Sequence, residues 1–188
     1  SHGTVRIAVV EARYDQVQLH NRSRVSDGLL RATLAPLRAG DVVTQSSLDR
    51  SLLLLGELPG VSPHATLSPG TGVGTSSLDV VADATPMVQG NVFMDDAGSR
   101  YTGRLRVGGN LDINNPLRHG DQLNLSALTA GGDMSYGRLG YQYTLNGQGT
   151  RLGAAYSALA YSLGGPLDDL DAHGTARVAS AWLAQPLL

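Results

Sequence analysis

The chain has 188 residues, of which 24 are Gly and only 16% are charged. All 14 basic residues are Arg, the formal net charge is −2 and Cys is absent. These values argue against a disordered chain, a basic nucleic-acid-binding domain and a fold held by disulfides or zinc-thiolate sites. A chain that is rich in Gly, poor in charge and without long apolar runs fits an all-β membrane segment as well as a soluble domain.

Residues 1–86 have the pattern of a small α+β domain. Residues 4–10 are rich in β-branched side chains and predict a strand, whereas residues 13–24 are polar without a clear period. Two further short strands are predicted over residues 61–68 and 76–84, because turn-forming Pro and Gly lie between them.

Two helices are predicted between these strands. Ser26 is a candidate N-cap for a helix that ends near residue 35, and Ser46 or Ser47 is a candidate N-cap for a helix over residues 48–58. The predicted order is therefore β-α-α-β-β. Five leucines are expected to face the three-stranded sheet, namely Leu30, Leu34, Leu48, Leu52 and Leu55.

Residues 87–188 show almost no helix signal and a repeated alternation of apolar and polar side chains. Over residues 101–113 one parity is apolar and the other polar, which indicates a strand with one apolar and one wet face. This segment exceeds the ~9–11 residues that a tilted strand needs to cross a bilayer. In all, six up-and-down strands are predicted, over residues 90–95, 101–113, 122–130, 134–145, 150–163 and 172–184.

One of these strands has an ambiguous parity. In residues 150–163, Leu152 and Tyr156 lie on one parity, whereas Leu159 and Tyr161 lie on the other. A β-bulge would bring both pairs to the same face, so a bulge is predicted there.

The alternation itself fits either a soluble sandwich or a membrane barrel. Strand length and the Tyr residues near strand ends favour the barrel, which carries aromatic girdles at both interfaces. Arg104, Arg106, Asp112 and Arg138 would then line a polar lumen that a client polypeptide crosses. In a sandwich the same four side chains would form a solvated outer face.

Several motifs carry a family resemblance, and they occur in a characteristic order: Leu58-Pro59-Gly60-Val61 after a Leu-rich helix, the segment 95–103, Asn115-Pro116-Leu117 with Gly120-Asp121-Gln122-Leu123, and Tyr161-Ser162-Leu163-Gly164. This order resembles the outer-membrane transporters of two-partner secretion of the haemolysin-activator type. Those proteins combine periplasmic POTRA domains with a transmembrane β-barrel. The resemblance covers nearly the whole chain.

The resemblance implies a fold and a cellular role. Residues 1–86 would be the POTRA domain next to the membrane, in the periplasm, and residues 87–188 the N-terminal portion of an outer-membrane barrel, so that the chain is a fragment of such a transporter. The implied partners are a secreted, unfolded exoprotein and outer-membrane lipid, with no nucleic acid, cofactor or enzymatic activity. The isolated fragment would self-associate through open strand edges.

Two alternatives to secretion stay open. One is a barrel-assembly factor of the same superfamily, which inserts proteins rather than secreting them. The other is a soluble β-rich adhesin or carbohydrate-binding module with an α+β companion.

The POTRA resemblance also implies a surface for capturing the client. In that fold the strand after the second helix lies at a sheet edge, beside a helix groove, and an extended client can add a strand to such an edge. The candidate client-binding residues are Leu48, Leu52, Leu55, Val61, His64, Thr66 and Ser68. No metal or catalytic site is predicted, because the five His are scattered and no nucleophile elbow is present.

Overall fold

Two sheets and two helices make up the structure, a computed structural model that describes residues 11–131, 133–163 and 172–187. The elements in chain order are β1 (Arg13–Arg22), α1 (Asp27–Leu34), α2 (Gln45–Gly56), β2 (Val61–Pro69), β3 (Thr75–Ala84), β4 (Val88–Asp95), β5 (Arg106–Asn114), β6 (Gln122–Thr129), β7 (Met134–Thr144), β8 (Arg151–Ser162) and β9 (His173–Ala184). No helix in the described part of the chain is long and apolar enough to cross a membrane.

The α+β unit, defined as β1, α1, α2, β2 and β3, packs its two helices on one face of a three-stranded sheet. The strand order is β1-β3-β2, with β1 parallel and β2 antiparallel to β3. The central strand β3 supplies Leu78, Val80 and Ala82 to the core. All five leucines that were predicted to face the sheet do so, Leu30, Leu34 and Leu55 as buried residues and Leu48 and Leu52 as partly buried ones.

The first strand of this unit is β1, in a segment for which the sequence predicted no strand. The register of β1 against β3 shifts between Tyr14 and Val17. Tyr14 before the shift and Val17 and Leu19 after it therefore all pack in the core, although their parities differ. This irregularity hid the alternation from the sequence pattern. The strand predicted over residues 4–10 lies outside the described residues.

Helix α2 begins earlier than predicted. Its N-cap is Thr44, whose hydroxyl accepts a hydrogen bond from the Ser47 backbone N–H; the predicted caps Ser46 and Ser47 lie inside the first turn. A Thr at this position satisfies one of the unpaired amides of the first turn. Helix α1 follows Ser26 as predicted and ends at Leu34.

The six-stranded sheet, defined as β4–β9, is antiparallel throughout and follows the chain order. The prediction of six strands in up-and-down order is therefore confirmed within the described residues. In that part of the chain, β4 and β9 are the two outer strands of the sheet.

Strand β5 begins at Arg106, so the prediction of one continuous strand over residues 101–113 was wrong. The Gly98 N–H donates to the Arg104 carbonyl oxygen at 2.9 Å, and Gly103 has a φ of 97°. Positive φ is incompatible with an extended strand but accessible to Gly. Arg104 therefore lies in the connection between β4 and β5, and β5 has nine residues.

Strand β8 contains no bulge, contrary to the prediction. It pairs residue by residue with both β7 and β9, so Leu159 and Tyr161 lie on the opposite face from Leu152 and Tyr156. The register explains the ambiguous parity, because it aligns Leu159 with large apolar side chains on three other strands: Phe93, Leu128 and Tyr136.

Cross-strand register assigns the strand residues to two faces, because directly paired residues point to the same side. The apolar face includes Val88, Val92, Met94, Val107, Leu111, Ile113, Leu123, Leu125, Leu139, Tyr141, Tyr143, Leu152, Tyr156 and Leu183. The polar face includes Gln89, Asn91, Arg106, Asn110, Asp112, Asn114, Gln122, Asn124, Ser126, Arg138 and Gln142. The predicted separation is confirmed for Val107, Leu111, Leu139 and Tyr141 on one face and Arg106 and Arg138 on the other, whereas Arg177 lies on the apolar face.

Candidate functional site

The outer edge of β2 is the first candidate surface. Strand β2 is at one end of the three-stranded sheet, and no described strand pairs with its outer side. The Gly60 carbonyl oxygen accepts from Thr85 N–H, and Gly70 N–H donates to the Thr75 carbonyl oxygen. Hydrogen-bonded pairs alternate along an antiparallel ladder, so even-numbered residues of β2 bond to β3. The backbone groups of odd-numbered residues point to the open edge.

Prolines restrict what this edge can donate. Pro63 and Pro69 occupy odd positions and have no N–H, and the Val61 N–H already donates to the Leu58 carbonyl oxygen at 3.2 Å. The backbone donors left on the outer side of β2 are therefore those of Ala65 and Leu67. An added strand would be held by a short central stretch of β2.

A groove runs between α2 and β2, beside this edge. It has a volume of about 690 Å³ and is lined by Asp49, Leu52, Leu53, Gly56, Glu57 and Pro63. Leu53 is 55% exposed, which the run of four leucines in α2 could have indicated, because consecutive residues point to different sides of a helix. The groove therefore combines an apolar wall with two carboxylates.

The structure divides the seven predicted client-binding residues among three environments. Of the three leucines, Leu52 lines the groove, Leu48 packs at the margin of the core, and Leu55 is fully buried and cannot line the groove. Val61 is buried as well.

The other three predicted residues lie on the sheet face that points away from the helices. His64, Thr66 and Ser68 alternate with the core-facing residues of β2. The His64 Nδ1 lies 3.5 Å from Asp83 Oδ2 on that outer face. Their backbone N–H and C=O groups bond to β3 and do not point to the open edge.

The polar face of the six-stranded sheet carries a ladder of side-chain contacts. Arg106 Nε donates to Asp95 Oδ1 at 2.8 Å, joining β4 to β5, and Asn124 Nδ2 donates to Asp112 Oδ1 at 2.5 Å, joining β5 to β6. Arg138 lies on the same face, aligned with Ser126 and Ser157. Three of the four predicted lumen residues thus share one face, and Arg104 lies outside the strands.

Two turns of the sheet contact the helices of the α+β unit, a junction that the sequence did not predict. In the turn after β5, Asn115 Nδ2 donates to the Pro59 carbonyl oxygen, and the Ser26 N–H donates to the Arg118 carbonyl oxygen at 2.9 Å. At the turn after β7, the Arg151 guanidinium pairs with the Glu57 carboxylate. Glu57 therefore belongs both to the groove and to the junction.

A buried carboxylate organises the first of these turns. Asp121 is fully buried and accepts hydrogen bonds from the Leu117 N–H at 3.0 Å, the His119 N–H at 3.1 Å and the Tyr141 hydroxyl at 2.9 Å. The Thr144 hydroxyl closes the turn from the neighbouring strand by donating to the Gly120 carbonyl oxygen at 2.7 Å. Buried polar groups satisfied in this way favour one conformation of the turn.

Metal ligation has no support in the described residues, where no three His, Asp or Glu side chains come together. The candidate surfaces are therefore the β2 edge with its groove, the polar face of the sheet and the junction.

The sequence comparisons agree on one group of proteins. The family described as haemolysin secretion/activation protein ShlB/FhaC/HecB matches residues 74–158. The heme/hemopexin transporter protein HuxB of Haemophilus influenzae (strain 86-028NP) is 27% identical, over 99% of this chain and 33% of HuxB. The chain thus spans about a third of the length of this curated relative.

Solved structures give the same picture. CdiB from Acinetobacter baumannii matches with a TM-score of 0.63 and 25% identity, over 93% of this chain and 34% of CdiB. A BamA chain from Haemophilus ducreyi that lacks POTRA domains 1–3 matches with a TM-score of 0.57 and 13% identity, over 92% of this chain and 31% of that chain, a likeness of fold alone. The predicted resemblance to two-partner secretion transporters of the haemolysin-activator type is confirmed.

Proposed function

We propose that this chain is part of an outer-membrane transporter of two-partner secretion. Residues 1–86 act as a POTRA domain in the periplasm, and residues 87–188 begin the transmembrane barrel. The observation that carries the proposal is the apolar face, which crosses β4–β9 and leaves Leu125 and Leu139 37% and 48% exposed. Such a face is unfavourable in water, whereas in a bilayer it contacts acyl chains.

Single-cysteine labelling tests which face meets lipid. The chain has no Cys of its own, and Leu125 and Ser126 are consecutive residues on opposite faces. With a fluorophore at Leu125→Cys, acyl chains that carry bromine should quench the emission, whereas water-soluble iodide should quench it at Ser126→Cys. A soluble sandwich predicts no lipid quenching at either position.

Client capture is proposed to occur by strand addition at the β2 edge. An extended client segment bonds to the backbone of Ala65 and Leu67, and its apolar side chains lie in the groove beside Leu52 and Leu53. Backbone pairing accepts many client sequences, which suits transport of an unfolded exoprotein. The family match and the HuxB match favour secretion over barrel assembly, since the likeness to BamA concerns the fold.

Proline substitutions at the edge test this capture. Ala65→Pro and Leu67→Pro each remove one outward donor and leave the β2–β3 ladder intact, so each should weaken the binding of client peptides about threefold to tenfold, as expected for one net hydrogen bond. Ala65→Val and Leu67→Val are the matched controls, and the probes are extended peptides with alternating apolar side chains. If the valine controls weaken binding as much as the prolines, side chains rather than backbone pairing hold the client.

A cellular measurement separates secretion from barrel assembly. The Pro variants should lower the amount of exoprotein in the medium and leave the level of other outer-membrane proteins unchanged. A general loss of outer-membrane proteins would favour the assembly role instead.

A further inference from the structure

A single arginine interrupts the apolar face. Arg177 pairs with Ala158, which pairs with Gly137, so the register places all three on that face. Among the described strand residues of the face, Arg177 is the only Arg, Asp or Glu. A guanidinium is costly against hydrocarbon, and the cost falls towards the membrane surface.

Arg177 borders a hollow on the outer wall of the sheet. The hollow has a volume of about 400 Å³, and the residues of the apolar face that line it are Ser135, Gly137, Ala158, Ala160, Thr175 and Arg177. A Cβ at Gly137 would meet nothing within 4 Å, so the floor is open. On the side towards the α+β unit, the hollow is bounded by the next row of the face, with Leu139 paired to Tyr156.

Within the hollow, the row with Ser135 and Thr175 lies farther from the α+β unit than Arg177, and in the proposed barrel this row points towards the outer leaflet. Strand β9 begins at His173, at the end far from the α+β unit, and ends at Ala184, which lies opposite Arg151 at the junction. Arg177 lies seven residues from Ala184 along β9, and ~9–11 residues cross a bilayer. An arginine at this height can extend its guanidinium to the headgroups.

We propose that this hollow binds a phosphate-bearing lipid of the outer leaflet. The Arg177 guanidinium holds the phosphate, the hydroxyls of Ser135 and Thr175 bond to further headgroup oxygens, and one acyl chain lies over Gly137 and Ala158. Guanidinium and phosphate match in a bidentate geometry. Asp133 lines an adjoining hollow farther out, and its carboxylate disfavours a phosphate there, which directs the headgroup to Arg177. The site rests on the proposed barrel, since it requires the apolar face to meet lipid.

Native mass spectrometry of the protein extracted from outer membranes into detergent tests the site. The probe is dioleoyl phosphatidic acid, and dioleoylglycerol, which has the same acyl chains without phosphate, is its control. Arg177→Gln should reduce binding of phosphatidic acid about tenfold, as for one charge-assisted contact, and should leave dioleoylglycerol unchanged. Arg177→Lys should retain part of the affinity. Arg138→Gln, on the polar face, is the matched control and should have no effect.

A second variant tests the hollow without altering the charge. Gly137→Leu fills the floor and should also weaken binding of phosphatidic acid. Unchanged binding in Arg177→Gln would overturn the site, as would displacement of the lipid by an equal concentration of inorganic phosphate.

The failure of this site and the failure of the barrel give different results. If Arg177→Gln has no effect while acyl chains still quench a label at position 125, the lipid site is wrong and the barrel is supported. If Arg138→Gln abolishes binding and Arg177→Gln does not, the polar face meets lipid, and both proposals are wrong.

Discussion

The α+β unit and the six-stranded sheet bury their apolar side chains in different ways. The α+β unit has a core of its own, in which Leu30, Leu55, Leu78 and Val80 are fully buried. In the sheet, the large apolar side chains of the apolar face stay partly exposed, and the buried apolar residues in or beside its strands are small ones such as Ala155. The helices cover one face of the first sheet, whereas in the proposed barrel lipid would cover the apolar face of the second.

This difference has a consequence for how each part responds to mutation. A cavity in the α+β unit should cost stability in any solvent. A charge on the apolar face of the sheet should matter only when that face meets lipid. Four substitutions, each with a matched control, test this contrast.

The largest effect is expected in the core of the α+β unit. Leu55→Ala removes a fully buried side chain between α2 and the sheet and should lower the free energy of unfolding by about 2–5 kcal/mol. Leu53→Ala, two residues earlier and exposed, should change it by less than ~0.5 kcal/mol. Denaturant unfolding followed by circular dichroism measures both, and equal effects would contradict the packing of α2.

The apolar face of the sheet should reject a charge. Leu125→Arg should destabilise the membrane-inserted protein by about 2–4 kcal/mol, the cost of Arg at the midplane of a bilayer. Ser126→Arg, the next residue on the polar face, should be tolerated. Folding titrations into lipid vesicles measure the difference, and equal tolerance of both arginines would remove the distinction between the two faces.

The junction should be sensitive to a single methyl group. A Cβ at Gly147 would lie 2.3 Å from the Ala32 backbone carbon, so Gly147→Ala should cost about 1–3 kcal/mol through overpacking. Calorimetry should show the unfolding transition of the α+β unit shifted to lower temperature. Gly137→Ala, where a Cβ meets nothing within 4 Å, is the control. A similar shift in both variants would mean that the backbone at Gly147 is not in close contact with α1.

The smallest effect concerns the turn around Asp121. Tyr141→Phe removes one hydrogen bond to the Asp121 carboxylate and should cost about 1 kcal/mol. Hydrogen exchange should become faster at the amides of Leu117 and His119, which bond to the same carboxylate. Tyr156→Phe, in the middle of the apolar face, should leave these two amides unchanged.

Much of the architecture could be predicted from the sequence because alternation is a local signal. The six strands after residue 87, their order and the face of Leu111, Leu139 and Arg138 all follow from side chains that point to opposite sides at every second residue. The two helices, the strands β2 and β3 and the packing of Leu55 also follow from pattern and punctuation.

Local pattern failed where backbone geometry overrode it. The register shift after Tyr14 hid β1, and the positive φ of Gly103 ended a strand whose alternation continued towards residue 101. In β8 the large apolar residues switch from one face to the other along the strand, because Leu159 pairs with Tyr136 in a row of large apolar side chains on the polar face.

The position of the candidate site depended on tertiary structure for a different reason. The edge strand β2 was predicted, but which backbone groups point outward depends on its register with β3, and this register also turns His64, Thr66 and Ser68 to the far face. The junction at Asn115 and Gly147 joins residues far apart in sequence, so no local period could reveal it. Local sequence pattern was sufficient for both helices and most strands, because these depend on residues that are close in the chain. Which edges stay open and which turns meet the helices depends on how distant segments pack, so these features required the three-dimensional structure.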